Sequence, residues 1–168
     1  MTTEHGSGKA FRFLKIFHIA SLVAILVFAE ILYTLPQPPI SFSFGLLLPL
    51  TIVLTIIAVF TLILGYFADK LFIISKKVKS PSFKRQIFSF NLNINVAEIT
   101  ALTVSLNRMA FFNATAIYGL VLGLSGDKWQ ITLPFFVVAE IALMIYFPTT
   151  KRWQQLLAKI SESSNAQQ

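Results

Sequence analysis

Arg108, Glu140 and Glu30 are ionisable side chains set inside long apolar runs, where each needs a partner or a task because lipid does not solvate charge. Arg108 offers a permanent cation with a planar fork of N–H donors, and a carboxylate such as Glu140 is its complement. On helices running in opposite directions, Arg108 counted from Glu98 and Glu140 counted from Gln130 each stand about ten residues, or roughly 15 Å, along their helices. Adjacent helices would then join the two near the midplane. Such a pair could be an ion or proton relay or a substrate-binding centre; it could equally fix helix register, or the arginine could snorkel to the surface. Glu30 stands near the outer end of its run, within reach of water or a headgroup.

Other site chemistry finds no support in the residues. The chain has no cysteine, which excludes disulfides, thiolate metal sites and cysteine nucleophiles. His5 and His18 are too few for a histidine metal cluster, so neither a metal nor a cofactor is expected. There is no P-loop, no G-x-G-x-x-G, no H-E-x-x-H and no G-x-S-x-G. The apolar runs hold no acids or histidines paired at helical spacing, and their hydroxyls have no base beside them, so the chain is read as a non-enzyme.

The elements that must position these residues are membrane helices. Of the 168 residues 55% are hydrophobic, and the mean hydropathy of +0.73 exceeds what a soluble core with a polar shell permits. The pattern predicts an all-α integral membrane four-helix bundle, a single domain of two helical hairpins. Its helices span about 13–35, 42–75, 90–123 and 130–148, with polar tails at 1–10 and 161–168. The run Ile16–Leu35 is longer than the apolar region of a signal peptide and lacks a small-x-small exit, so it is read as retained. Pro36, Pro38 and Pro39 turn the chain, while Pro49 and Pro134 fall early in the second and fourth helices. The alternation F-N-L-N-I-N-V over 90–96 fits a strand, but a lone strand entering lipid leaves its backbone unpaired, which favours an interfacial helix. Ser125, Gly126 and Asp127 form a turn, and Trp129 is an interfacial anchor. Beyond Pro148, Leu156, Leu157 and Ile160 suggest a short amphipathic continuation before the tail.

Cation placement sets orientation. Lys9, Arg12 and Lys15 precede the first helix, six Lys and Arg lie between Lys70 and Arg85, and Lys151, Arg152 and Lys159 follow the fourth, against Lys128 alone on the other side. Both termini are therefore expected in the cytoplasm, in an inner cell membrane. The net charge of +7 is assigned to this topology rather than to nucleic acid. The basic loop with Lys76, Lys77, Lys79, Lys84 and Arg85 would face the anionic leaflet of the lipid bilayer.

On a wheel of about 100° per residue, Glu98, Ser105, Arg108, Thr115, Gly119 and Gly123 share one sector of the third helix. Glycines four apart allow close backbone approach, and Ser105 and Thr115 can bond across such a contact. Thr100, Thr103 and Asn107 lie on another side. This suits a helix central in its own bundle or one that meets another membrane protein or a second copy.

The segment A-I-Y-G-L-V, 116–121, with Tyr118 and Gly119, resembles the motif on the outer helix of rotary ATPase proteolipids, the subunits of the membrane rotor ring. In that family an ion-binding carboxylate commonly sits five residues before the tyrosine; here Asn113 stands there, and an amide can hydrogen-bond but cannot bind and release a proton. The glycine-rich inner helix of that family is missing. Over more of its length the chain resembles small uncharacterised bacterial four-helix membrane proteins, with a hairpin that ends at a proline such as Pro148. This second resemblance implies an architecture and no activity.

The expected function is thus a non-enzymatic accessory, assembly or self-associating membrane subunit. The alternatives are a small transporter or ion-conducting oligomer using Arg108, Glu140 and Glu30, and a degenerate rotor-ring subunit.

Overall fold

The computed structural model describes residues 4–34, 44–74, 96–125 and 129–165, and among them it contains helices and short turns with no strand. The helices are α1 (Glu4–Thr34), α2 (Phe44–Ile74), α3 (Val96–Leu124), α4 (Trp129–Ile145) and α5 (Thr150–Asn165). The chain is all-α. The basic loop at 76–85, the proline-rich turn after 35, Gly126, Asp127 and most of the 90–96 alternation lie outside the described residues.

Two helices are long and apolar enough to cross a membrane, Gly8–Thr34 and Leu48–Leu71, and the bent pair Gln130–Ile145 with Thr150–Glu162 passes as a third only if it is one broken span. α3 is not among them, because Asn107, Arg108 and Asn113 dilute its apolar character. Four plain spans were expected; the polar residues of α3 and the 17-residue length of α4 account for the difference.

Each helix turns a regular stripe inward. In α1 the buried residues are Ala10, Leu14, His18, Ser21 and Ile25, at intervals of three and four that mark one helical face. α1 starts at Glu4 rather than at about residue 13, and Ala10 and Leu14 are the first buried positions among its described side chains. In α2 the buried positions, Ala58, Thr61, Gly65 and Ala68, are all small, while Ile56, Val59, Phe60 and Ile63 point outward. Among the described side chains of α3, only Thr103, Ala110, Ile117, Val121 and Leu124 are exposed.

By its packing the chain forms two compact units, Met1–Phe17 with Phe67–Asn107 and Pro148–Gln168, and His18–Tyr66 with Arg108–Phe147. In the first unit the apolar face of α5, Trp153, Leu156 and Ile160, is buried, with the Trp153 ring 5.9 Å from that of Phe11. Thr149 caps α5, its hydroxyl accepting from Arg152 N at 3.3 Å. The expected short continuation of the fourth helix is instead a separate 16-residue helix that runs through most of the predicted polar tail. Its apolar positions repeat at helical spacing, so burying them stabilises the whole length.

In the second unit α3 touches each of the other three helices. It meets α1 where the Asn113 amide donates to Ser21 Oγ at 3.1 Å, and α2 where Thr115 and Thr61 share a hydroxyl contact of 3.4 Å. Leu122 packs with Ala58 of α2 and Phe135 of α4, flanked by Leu54 and Tyr118. The end of α3 is closed by Ser125, whose N and Oγ both donate to Val121 O, at 3.0 and 2.8 Å.

Gly119 and Gly123 serve different neighbours. A methyl group at Gly119 would lie 2.7 Å from Phe135 Cβ and 3.2 Å from the Thr132 carbonyl oxygen, whereas the nearest atoms to one at Gly123 belong to the Leu32 side chain, at 2.5 Å from Cδ1. The first obstacle is the root of a side chain and a backbone atom; the second is a flexible tip. Gly119→Ala should therefore lower the thermal unfolding midpoint of the purified protein clearly, by overpacking of about 1–3 kcal/mol, and Gly123→Ala should lower it less. Equal losses would mean that the two contacts are equally rigid.

Candidate functional site at the end of the fourth helix

α4 stops because of Pro148. Proline has no N–H to give the Met144 carbonyl, and it pushes the residue before it out of helical geometry. The N–H of Phe147 tightens onto Met144 O at 3.2 Å instead of reaching Leu143, while Tyr146 N keeps its helical bond to Ala142 O at 3.1 Å. The Leu143 carbonyl has thereby lost its helical donor. His18 of α1 supplies the replacement, with Nε2 placed 2.8 Å from Leu143 O. A carbonyl only accepts, so Nε2 carries the proton. The imidazole is 1% exposed, and its ring meets that of Phe147 edge-on at 5.1 Å.

Tyr146 forms the other side of this joint. The Arg108 guanidinium lies over its ring at 4.5 Å, the Phe112 ring is 5.4 Å away, and the Tyr66 ring stands edge-on at 6.4 Å. Arg108 Nε also donates to the Gly65 carbonyl oxygen at 3.1 Å. Gly65 has to be glycine for this approach, since a Cβ there would come within 2.6 Å of Phe112 Cε1. A desolvated cation–π contact contributes up to about 2 kcal/mol. A hydrogen bond from a charged donor contributes about 1.5–3 kcal/mol. The partial negative charge at the C-terminal end of a helix adds to the attraction for the cation.

Arg108 is therefore held by Gly65 and Tyr146, and Glu140 makes none of these contacts. The register explains why. Phe112 of α3 meets Tyr146 and Gly119 meets Phe135, so the end of α4, not its middle, is level with Arg108. Glu140 falls between those two contacts, beside the inward stripe Thr132, Phe135, Phe136, Ala139 and Leu143, and is half-buried. Tyr146, the residue under Arg108, stands six residues beyond Glu140, about 9 Å of helical rise. Glu30 is exposed near the end of α1, and Thr34 Oγ1 donates to its carbonyl oxygen at 2.9 Å.

The other predicted residues divide. Thr115 and Asn113 bond across helices, as described. Ser105 does not in its recorded bond, which runs to Ala101 O of its own helix at 2.8 Å; Thr103 and Asn107 likewise turn back, to Ile99 O and Thr103 O. Tyr118 is half-buried beside the Leu122 cluster. Lys76, Lys77, Lys79, Lys84 and Arg85 lie outside the described residues. Among the described residues no group of three or more His, Cys, Asp or Glu is placed to hold a metal ion.

Compared with protein families, curated proteins and solved structures, the chain matches none. The site's chemistry rests on its own geometry. His18, Ser21, Gly65 and Tyr146 are the members that sequence reasoning did not select. A histidine in an apolar run, directly after Lys15–Ile16–Phe17, and the small-residue series 58, 61, 65, 68 were the available signals.

His18→Leu should leave the Leu143 carbonyl without a donor, a loss of about 1–3 kcal/mol visible as a lower unfolding midpoint. Tyr146→Leu, which removes the ring under Arg108, should lower that midpoint as well. A Tyr146→Leu protein as stable as the parent would show that the ring contact contributes nothing.

Proposed function

We propose that the chain is a four-span membrane protein of two helical hairpins joined by the basic loop, with both termini on the cytoplasmic side of an inner cell membrane. It acts without catalysis, through helix contacts, as an accessory or assembly subunit. The observation that carries this reading is the inward use of polarity: Asn113, Thr115, Arg108 and His18 all bond to the chain's own helices. Gly119 and Gly123 are likewise occupied by Phe135 and Leu32. Among the bulky outward faces left for a neighbour, beside those of α1 and α4 with Leu26 at 58% and Met144 at 60%, is that of α2, with Ile56 at 63% and Phe60 at 59% exposure. That face, rather than the glycines of α3, is the contact surface for another membrane protein or a second copy.

Crosslinking from position 56 or 60 in native membranes, followed by copurification, tests this. A specific neighbour or a defined self-crosslink is expected. A stable detergent monomer with no specific neighbour in the membrane would overturn the proposal.

One observation favours a second reading, a small transporter or ion-conducting oligomer. Arg108 is an interior cation fixed at the joint, and Glu140 is half-buried on α4 outside its contacts, so one charge is fixed while the acid is held by none of the groups that hold it. Glu140→Gln should then abolish an ion flux or a pH-dependent step in reconstituted vesicles while the folded protein is retained. Unchanged flux would remove this reading. For the rotor-ring alternative the test is native mass, where a monomer or dimer rules out a large ring.

A further inference from the structure

The cations of the first unit are arranged around a charge boundary on α1 and α2. Along α1 the exposed side chains change from Lys9 and Arg12 to Phe13, Ile16 and Phe17. Along α2 the exposed Phe67 and Leu71 flank Lys70, whose ammonium lies 5.6 Å from the Phe67 ring centre. Lys15 bends in the same manner over Phe11 at 4.5 Å. Long cationic side chains that lie along apolar groups and reach outward mark the headgroup level of a bilayer.

α5 is attached at that level. Its Trp153 packs on Phe11, in the turn of α1 where the exposed residues change from charged to apolar. An amphipathic helix beside a membrane usually sinks its apolar face into lipid. Here that face is already taken, since Trp153, Leu156 and Ile160 are buried in the protein. The helix therefore does not anchor by insertion; what it offers outward is Lys151, Arg152 and Lys159, all exposed, with Glu162 as the exposed acid. Together with Lys9, Arg12 and Lys70 this makes six exposed cations among the described side chains of the unit.

We infer that the first unit is a docking surface for anionic phospholipid headgroups, with α5 as a protein-held platform for Lys151 and Lys159. This rests on the membrane reading above and adds a lipid class to it. The surface attracts phosphatidylglycerol-like headgroups over zwitterionic ones, and because the cations are exposed, the preference is screened by salt.

The test uses the full chain reconstituted in phosphatidylcholine vesicles with trace spin-labelled phosphatidylglycerol or spin-labelled phosphatidylcholine, reading the motionally restricted lipid fraction. A several-fold preference for phosphatidylglycerol is expected, lost in 1 M salt (where the Debye length is about 3 Å) and reduced in Lys151→Gln/Lys159→Gln. Lys151→Arg/Lys159→Arg should restore it, which separates charge from folding. Equal association of the two lipids by a protein that has entered the vesicles, or an undiminished preference in the glutamine variant, overturns the inference and leaves the membrane reading standing. Failure of the chain to enter vesicles at all overturns both. Displacement of the labelled lipid by millimolar inorganic phosphate would also overturn it, because the site would then be one for a free anion.

Discussion

A backbone carbonyl in apolar surroundings must be given a donor, and in this protein the need is most acute at Leu143. Pro148 removes one N–H from the end of α4, Phe147 shifts its own to Met144, and the deficit passes back to Leu143, where water is not at hand to make it good. His18 meets it from a helix 125 residues away in sequence. That bond ties the end of α4 to α1. The adjacent Tyr146 is then placed under Arg108, which ties the same end to α3 and, through Gly65, to α2. Three helices converge on one interrupted helix end, and each contact satisfies a group that the interruption or the burial left in need.

The packing of α3 follows the same logic at lower polarity. Its small and hydroxylated residues are not gathered on one face for one partner but shared among α1, α2 and α4. Asn113 and Gly123 serve α1, Thr115 serves α2, and Gly119 serves α4. A helix with three neighbours needs small residues in three directions, which is why its exposed side shrinks to a stripe about seven residues apart, two turns of helix. The reciprocal feature is the all-small inward face of α2, where Gly65 admits Phe112. Close approach across this contact needs a gap on one helix and a ring on the other.

The helical class was legible in the sequence, and Thr115, Gly119 and Gly123 stood out there as small or hydroxylated residues at helical spacing in an apolar run; the bond from Asn113 to Ser21 did not. The Gly65 carbonyl and the Tyr146 ring that meet Arg108 could not be read there. Depth counted from helix starts assumes that both helices enter the membrane at the same level, and that assumption fails when one helix ends early at a proline. His5, Gly6, Ser7 and Gly8 read as a flexible head by composition, whereas α1 begins at Glu4. The helix α5 was underestimated because its polar residues outnumber its apolar ones, although the latter fall on one stripe. The importance of His18 could not be read from its own surroundings, since its partner is a main-chain atom made needy by a residue far along the chain.

Under the four-span arrangement proposed above, the early end of α4 also has a consequence for the membrane itself. With 17 residues, α4 is about 26 Å long at the helical rise, somewhat less than the roughly 30 Å of a typical hydrocarbon core. α2 has 31 residues, about 46 Å by the same measure, and can exceed that thickness. A bilayer in contact with both must be thinner beside one than beside the other, or the longer helix must tilt. The protein is in this sense a local wedge in thickness: mismatch costs are small per ångström, yet they favour thin bilayer regions and neighbours with similarly short helices beside α4.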